Sequence, residues 1–166
     1  MVRNKTGLLL IGLLVLSHAC TDSSIVFQKS IVLPESGWDR DHNLEDSWVS
    51  DKTISHGSII LQIRHTSKFG YQNLYVAGKV RKNDQTVWSD TFSIGLACSN
   101  SGEWLGEKQG EEIVVRDTIP YTISLEKGET LHYDFSQFSR DDVLQGIEEV
   151  VVGLIDKGQL TRDKEQ

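Results

Sequence analysis

The chain has 166 residues, with 24 acidic against 17 basic side chains and a formal net charge of −7. This length suits one domain with a substantial core. An acidic chain without a basic cluster argues against nucleic acid as a partner, and against electrostatic docking on anionic lipid.

The first predicted element is a secretory signal over residues 1–19. Arg3 and Lys5 precede the apolar run GLLLIGLLVL at 7–16. A run of about ten apolar residues is too short for a permanent membrane helix, which needs about 20 to cross ~30 Å of hydrocarbon. We therefore expect residues 1–19 to be removed.

Cys20 is the expected lipidation site. It follows Ser17-His18-Ala19, an order typical of lipoprotein cleavage, although Leu16 lies one position further from the cysteine than is usual. We expect Cys20 to carry an S-diacylglycerol group and an N-palmitoyl chain. At ~0.8 kcal/mol per buried CH₂, three acyl chains give a lasting membrane anchor. The alternative is an ordinary secreted protein cleaved near Ala19.

After a lipidated tether at residues 20–24, most of the chain alternates between apolar and polar side chains. Period-two segments are 58–65, 73–81, 90–98 and 130–135, with weaker or fully buried candidates at 25–32, 111–117 and 149–156. Turn signals separate these segments. We predict an all-β fold, an antiparallel, jelly-roll-like β-sandwich of about seven or eight strands, as a single domain over 25–158 with a flexible tail at 159–166.

Two local features accompany these strands. Ser139 is a good N-cap, and Gly146 suits a left-handed helix end, so a short helix is predicted near 139–146. Cys98 is expected to point inward in the apolar row of the segment 90–98. If Cys20 is acylated, Cys98 has no partner for an intramolecular disulfide.

No motif in the sequence predicts catalysis or a cofactor. There is no nucleophile elbow and no phosphate-binding glycine loop, and the histidines lack the local spacing of zinc ligands. Asp39, Asp41 and Asn43 match the first ligands of a calcium loop, but Leu44 and Ser50 stand where glycine and glutamate are needed. We expect no enzyme activity, no cofactor and no metal site, and a solvated acidic loop at 39–46.

Two of the four tryptophans lie in loop-like sequence. Trp104 is in SGEWLGEKQG (101–110), and Trp38 opens the acidic loop. Either side chain is a candidate contact for a glycan or a protein partner, since aromatic rings stack on sugars and anchor interfaces. The competing interpretation is that Trp104 plugs its loop onto the sandwich. Burial of the ring favours the plug, and exposure favours recognition.

Three segments, in order, resemble the GldH family of gliding-motility lipoproteins. They are RHTSKFGYQNLYV at 64–76, SGEWLGEKQG at 101–110 and LQGIEEVVVGL at 144–154, with a looser match at Trp38 and at Asp51-Lys52-Thr53. The resemblance covers nearly the whole chain. This chain departs from the family pattern at Ser17 of the lipobox, at Trp48 and at Phe138-Ser139-Arg140.

The resemblance implies a lipid-anchored, non-enzymatic cell-envelope lipoprotein of the outer membrane, on either its periplasmic or its surface face. Such a protein is expected to act as an accessory component of gliding motility or of the type IX secretion machinery, with other envelope proteins of these systems as partners. Cys20 is the one site residue carried over. The alternative is a lipid-anchored protein resembling a carbohydrate-binding module, with Trp104 as its first candidate stacking residue.

Overall fold

The computed structural model describes residues 24–158. The predicted signal (1–19), Cys20 and the tail (159–166) lie outside this range. The described chain forms eleven strands: β1 (Ile25–Val32), β2 (Trp38–Asp39), β3 (Leu44–Val49), β4 (Ile54–Thr66), β5 (Asn73–Lys82), β6 (Gln85–Gly95), β7 (Glu107–Gln109), β8 (Glu112–Leu125), β9 (Thr130–Gln137), β10 (Val143–Leu144) and β11 (Ile147–Asp156). Within residues 24–158 there is no helix of the length and apolarity that crossing a membrane would require.

Two antiparallel sheets make up the sandwich. One has the order β1-β11-β4-β8-β7 and the other β3-β9-β5-β6, while β2 and β10 form a separate ribbon. Without the short β7, the sheets read β1-β11-β4-β8 and β3-β9-β5-β6, which is the strand order of a jelly roll. The predicted fold class is confirmed.

The core lies between the two sheets and follows the predicted alternation. Ile59, Leu61 and Ile63 of β4 are buried, and they belong to the same apolar cluster as Leu74 and Val76 of β5. Burying side chains of this size stabilises the fold by about 1.5–3 kcal/mol each. The fully buried candidate is also confirmed, because β11 lies between β1 and β4 and is buried throughout 150–154.

The predicted inward position of Cys98 is wrong. Strand β6 ends at Gly95, and the backbone N–H groups of Leu96 and Ala97 both donate to the Gln72 carbonyl at 2.8 Å. The chain then turns, with the Gly102 N–H donating to the Cys98 carbonyl at 2.8 Å. Leu96 is buried, whereas Cys98 is half-buried beyond the end of the strand.

The predicted helix at 139–146 is also wrong. Ser139 Oγ accepts a hydrogen bond from the Asp141 N–H at 3.2 Å, which closes a local turn and does not cap a helix. Val143 and Leu144 then form β10, paired with β2. Gly146 does adopt a left-handed conformation, with φ of 79°, but it lies between two strands. The pairing with a strand about 100 residues away decides the structure.

The two ends of the sandwich differ in their connections. At one end, called here the basal end, the Asp156 N–H donates to the Ser24 carbonyl at 2.8 Å. The short connections 50–53, 83–84 and 126–129 lie there as well. The opposite end, called here the loop end, carries the longer connections 33–43, 67–72, 96–111 and 138–146.

Candidate functional site

The three segments that carry the family resemblance meet at the loop end. The rings of His65 and Trp104 pack edge to face, with their centroids 4.8 Å apart. The Thr66 N–H donates to the Gly146 carbonyl at 2.8 Å, and Arg64 Nε donates to Glu149 Oε2 at 2.8 Å. Segments that are distant in the chain therefore form one continuous region.

Trp104 is half-buried and packs against the core. It forms an isolated antiparallel bridge with Ala97, and the Leu105 N–H donates to the Leu96 carbonyl at 2.8 Å. Gly106, with φ of 88°, brings the chain so close to β8 that a Cβ atom would lie 2.2 Å from the Val114 carbonyl oxygen. This packing favours the plug interpretation of Trp104, and its role as a contact residue stays a prediction.

Trp38 is completely buried, with 0% of its surface exposed. Its indole Nε1 donates to the His42 carbonyl at 2.9 Å, which satisfies its polar group inside the protein. The expectation that Trp38 contacts a glycan or a partner is therefore wrong in this structure. Its ring anchors the acidic loop to the core.

His65 connects Trp104 to the core. It is completely buried, and its Nδ1 lies 3.2 Å from the Thr66 carbonyl oxygen. Its Nε2 has no hydrogen-bond partner among the described residues. Burial lowers the pKa of His65 below its usual value, and the Thr66 carbonyl opposes this in part. The ring is accordingly a neutral aromatic support for Trp104, with Nδ1–H donating to Thr66.

Arg64 joins three strands beside this aromatic contact. Its Nη1 donates to Glu112 Oε2 of β8 at 2.7 Å, and its Nε donates to Glu149 Oε2 of β11. The Ser30 hydroxyl of β1 donates to the other oxygen of Glu149. The pKa of the Glu149 carboxyl is lowered, most strongly by the hydrogen bond from Ser30 and less strongly by the one from Arg64. The network fixes the ends of the strands beneath the loops.

A second feature of the loop end is a cavity of about 560 Å³, called here the aromatic groove. Tyr71, Tyr75 and Phe138 line it and are 48%, 48% and 63% exposed. Its lining also includes the buried side chains of Leu74 and Leu144. Pockets of this size are typical of ligand sites.

Sequence reasoning missed the aromatic groove because it weighed only tryptophans. Tyr75 is at an outward position of the alternating segment 73–81, and Phe138 follows directly after β9. An aromatic side chain on the polar face of a strand was the available signal. Residues 138–140 lie beside the start of β5 because β9 pairs with β5. The alternation of apolar and polar residues does not show which strands pair.

The polar groups around the aromatic groove are mostly engaged within the protein. The Tyr71 hydroxyl donates to Asp141 Oδ2 at 2.6 Å, and this bond raises the pKa of Tyr71. Asn73 Nδ2 donates to Ser93 Oγ at 2.9 Å. By contrast, the Arg140 guanidinium has no hydrogen bond or ion pair with any residue in the range 24–158.

The described part of the chain contains no group of three or more His, Cys, Asp or Glu side chains that could hold a metal ion. In the acidic loop, Asp39 Oδ1 instead accepts a hydrogen bond from the Asp41 N–H at 2.8 Å. That bond closes an Asx turn.

Comparison with solved structures finds similar sandwiches at low sequence identity. A family 35 carbohydrate binding module from Clostridium thermocellum is 12% identical, with a TM-score of 0.36, over 76% of this chain and 89% of that one. A second family 35 module, from an environmental isolate, is 13% identical, with a TM-score of 0.34, over 80% and 90%. Dimeric latent PorU from Porphyromonas gingivalis is 10% identical, with a TM-score of 0.31, over 82% of this chain and 14% of that one. Similarity at this level carries no information about ligands.

A search of curated protein sequences finds no significant match. The sequence profile of the GldH lipoprotein family, however, matches residues 25–154, which include the first ten strands and all but the last two residues of β11. A match of this extent confirms the resemblance carried by the three converging segments. The chain therefore belongs to the GldH lipoprotein family.

Proposed function

We propose that this protein is a lipid-anchored, non-enzymatic accessory component of the gliding-motility or type IX secretion machinery, held on the outer membrane through Cys20. The observation that carries the proposal is the family match over residues 25–154. Membership in a lipoprotein family implies association with the cell envelope through a lipid anchor. Envelope proteins of the same machinery are the proposed partners.

The proposed domain plan follows from the anchor. Residues 1–19 are removed, 20–24 form the lipidated tether, 25–158 form the sandwich and 159–166 follow it as a tail. Ser24 lies at the basal end, four residues from Cys20. An extended chain spans at most about 3.6 Å per residue, so the basal end stays within roughly 15 Å of the anchor.

The loop end then faces away from the membrane. Strand β1 runs from the basal end to the loop end over eight residues. At about 3.3 Å per residue, the two ends of the sandwich are roughly 25 Å apart. Confinement to the membrane raises the effective concentration of the loop end for a neighbouring envelope protein, so a weak contact suffices.

Substitution of the anchor cysteine tests the lipid attachment. We expect Cys20→Ser to abolish incorporation of labelled palmitate and to move the protein from the membrane fraction to the soluble fraction. Cys98→Ser is the matched control, because its half-buried thiol lies outside the anchor and should not change either property. A Cys20→Ser protein that stays in the membrane and still takes up palmitate would rule out this anchor.

Deletion of the gene tests the functional role. We expect the deletion strain to lose colony spreading, protein secretion or both, and a plasmid-borne wild-type copy to restore the lost property. Normal spreading together with normal secretion in the deletion strain would contradict the proposal.

The carbohydrate-binding alternative now depends on different residues. Trp38 is buried, whereas Tyr71 and Tyr75 expose about half of their surfaces beside the aromatic groove. Calorimetry with Trp104→Ala and Tyr75→Ala tests this alternative. The alternative is supported if a glycan binds the wild-type protein and at least one of the two substitutions abolishes that binding.

A further inference from the structure

We propose that the aromatic groove binds a segment of a protein partner in which an apolar side chain stands next to a carboxylate. The apolar side chain occupies the groove, and the carboxylate pairs with Arg140. This inference deepens the proposed function and rests on it for the statement that the partner belongs to the cell envelope.

The first support is the clustering of exposed aromatic side chains. Six large hydrophobic side chains in the described range are exposed, and Tyr71, Tyr75 and Phe138 are three of them. These three line one cavity, so the apolar surface is contiguous and not scattered. Contiguous exposed apolar surface marks interaction sites, and aromatic side chains with arginine are the usual anchors of protein interfaces.

The second support is the charge beside the groove. The neighbouring carboxylates are engaged by other groups, because Asp141 accepts from the Tyr71 hydroxyl and Asp142 pairs with Arg40 at 3.3 Å. The Arg140 guanidinium is left without a partner in the described chain, on a protein of net charge −7. A guanidinium in this position selects a carboxylate, which it can hold through two parallel hydrogen bonds.

The third support is the largely apolar lining of the groove. Asn73 donates its amide N–H to Ser93, and the Ser139 hydroxyl donates to the Asp141 carbonyl at 3.2 Å. A sugar in this groove can pair with the Tyr75 and Thr91 hydroxyls and with Arg140, but the largely apolar lining leaves its other hydroxyl groups without partners. An apolar side chain has no such cost, which favours a protein segment over a glycan.

The groove is also held in shape before any ligand arrives. The Phe138 N–H donates to the Tyr75 carbonyl at 2.9 Å, and Gln137 Nε2 donates to the Asp141 carbonyl at 3.0 Å. The hydrogen bond between Tyr71 and Asp141 joins the connection 67–72 to the connection 138–146. A preformed site loses little conformational entropy on binding. In the proposed arrangement, the groove lies on the membrane-distal side of the anchored protein.

Binding of two small peptides tests the proposal directly. The probes are N-acetylated, C-terminally amidated Gly-Phe-Asp-Gly and its charge-reversed counterpart Gly-Phe-Lys-Gly, titrated against the detergent-solubilised mature protein by calorimetry. We expect the acidic peptide to bind about tenfold more tightly than the basic one, because the exchange replaces an attraction to Arg140 with a repulsion. Equal affinities, or no binding of the acidic peptide, would overturn the proposal.

Variants test the contribution of Arg140 and that of the apolar part of the groove separately. Arg140→Glu should reverse the preference towards the basic peptide, and Arg140→Lys should retain the preference for the acidic one. Phe138→Ala should weaken both peptides about tenfold, the loss expected from one aromatic anchor. Val49→Ala is the control, because Val49 is 58% exposed at the basal end and should leave binding unchanged. An Arg140→Glu protein with unreversed preference would also overturn the proposal.

Two further readouts keep the outcomes distinct. Circular dichroism of each variant shows whether it folds, since Phe138 and Arg140 are exposed and their substitution should preserve the sandwich. Glucuronic acid is titrated in parallel, and its binding in place of the acidic peptide would establish a glycan site and refute the protein-segment proposal. The peptide assay requires no motile cells, so a negative peptide result does not affect the interpretation of the deletion phenotype. In the same way, an unchanged deletion strain does not affect the interpretation of a positive peptide result.

Discussion

At the scale of single residues, the loop end is held together by ion pairs, hydrogen bonds and ring contacts between neighbouring side chains. Arg64 holds Glu112 and Glu149, and Ser30 holds the second oxygen of Glu149. His65 is kept neutral by burial and supports Trp104 through ring contact. Both arrangements make the stability of this end depend on pH.

Glu149→Gln tests the Arg64 network. We expect the substitution to lower the free energy of unfolding at neutral pH by about 1 kcal/mol, because a partly buried, charge-assisted bond is replaced by a neutral one. The native pKa of Glu149 is lowered below 4.5, so its contribution is present above pH 4.5 and is lost as pH falls through the lower native pKa. Urea denaturation should therefore show a difference between the two proteins at pH 7 that shrinks below pH 4.5. A difference independent of pH would contradict this account.

His65→Phe tests the buried histidine. Because the native pKa of His65 lies below 6.5, the unfolded chain takes up a proton before the native protein does. The wild type should lose stability as pH falls below 6.5 towards the lower native pKa, and His65→Phe should lose less over the same interval. The comparison uses the slope of unfolding free energy against pH, so a change in packing does not affect it. Parallel slopes would show that His65 does not titrate on unfolding.

At the scale of elements, the segment 139–146 shows how local signals are overridden. Gly146 has the left-handed conformation that the sequence predicted, whereas the Ser139 hydroxyl closes a turn and does not cap a helix. Gln137 Nε2, however, donates to the Asp141 carbonyl at 3.0 Å, and β10 pairs with β2. The bonds that decide the structure come from side chains and strands outside the segment.

Gly146→Ala tests the close packing of this connection. A Cβ atom at Gly146 would lie 2.4 Å from the Phe69 backbone nitrogen, in addition to the strain of a φ of 79°. We expect a loss of more than about 3 kcal/mol in unfolding free energy. Gly128→Ala is the control, because Gly128 has a φ of 90° with nothing within 4 Å and should lose about 1 kcal/mol. Equal losses in thermal denaturation would show that the clash relaxes.

The long strands were predictable because a half-buried strand alternates between apolar residues that face the core and polar residues that face solvent. The segments 58–65, 73–81 and 130–135 all lie inside β4, β5 and β9. Strand β3 was missed because its more buried side chains, Leu44, Asp46 and Trp48, include a carboxylate, so LEDSWV does not alternate between apolar and polar residues. The two-residue strands β2 and β10 are too short to show a period, and they exist only through their mutual pairing.

The candidate site was less predictable than the fold. The resemblance selected the segments that meet at the loop end, but the sequence did not show that Trp38 is buried. The aromatic groove combines the start of β5 with the turn after β9, and this juxtaposition depends on the register of the two strands. Register is a tertiary property, which a single sequence does not state.

At the scale of the whole molecule, the jelly roll places the start of β1 and the aromatic groove at opposite ends. Ser24 and Asp156 meet at the basal end, whereas the longer connections and the aromatic groove lie at the loop end. In the proposed arrangement the lipid at Cys20 fixes the basal end and leaves the loop end free to contact a partner. Loops on a rigid scaffold commonly carry such contacts.

The most direct test of this account is complementation of the deletion strain, scored by colony spreading and protein secretion. Wild-type protein and the Val49→Ala control should restore the lost property fully. The double variant Phe138→Ala/Arg140→Glu should reach the membrane in normal amounts, because its anchor is intact, and yet fail to restore that property. Full restoration by the double variant would contradict the claim that the anchored protein acts through its loop end.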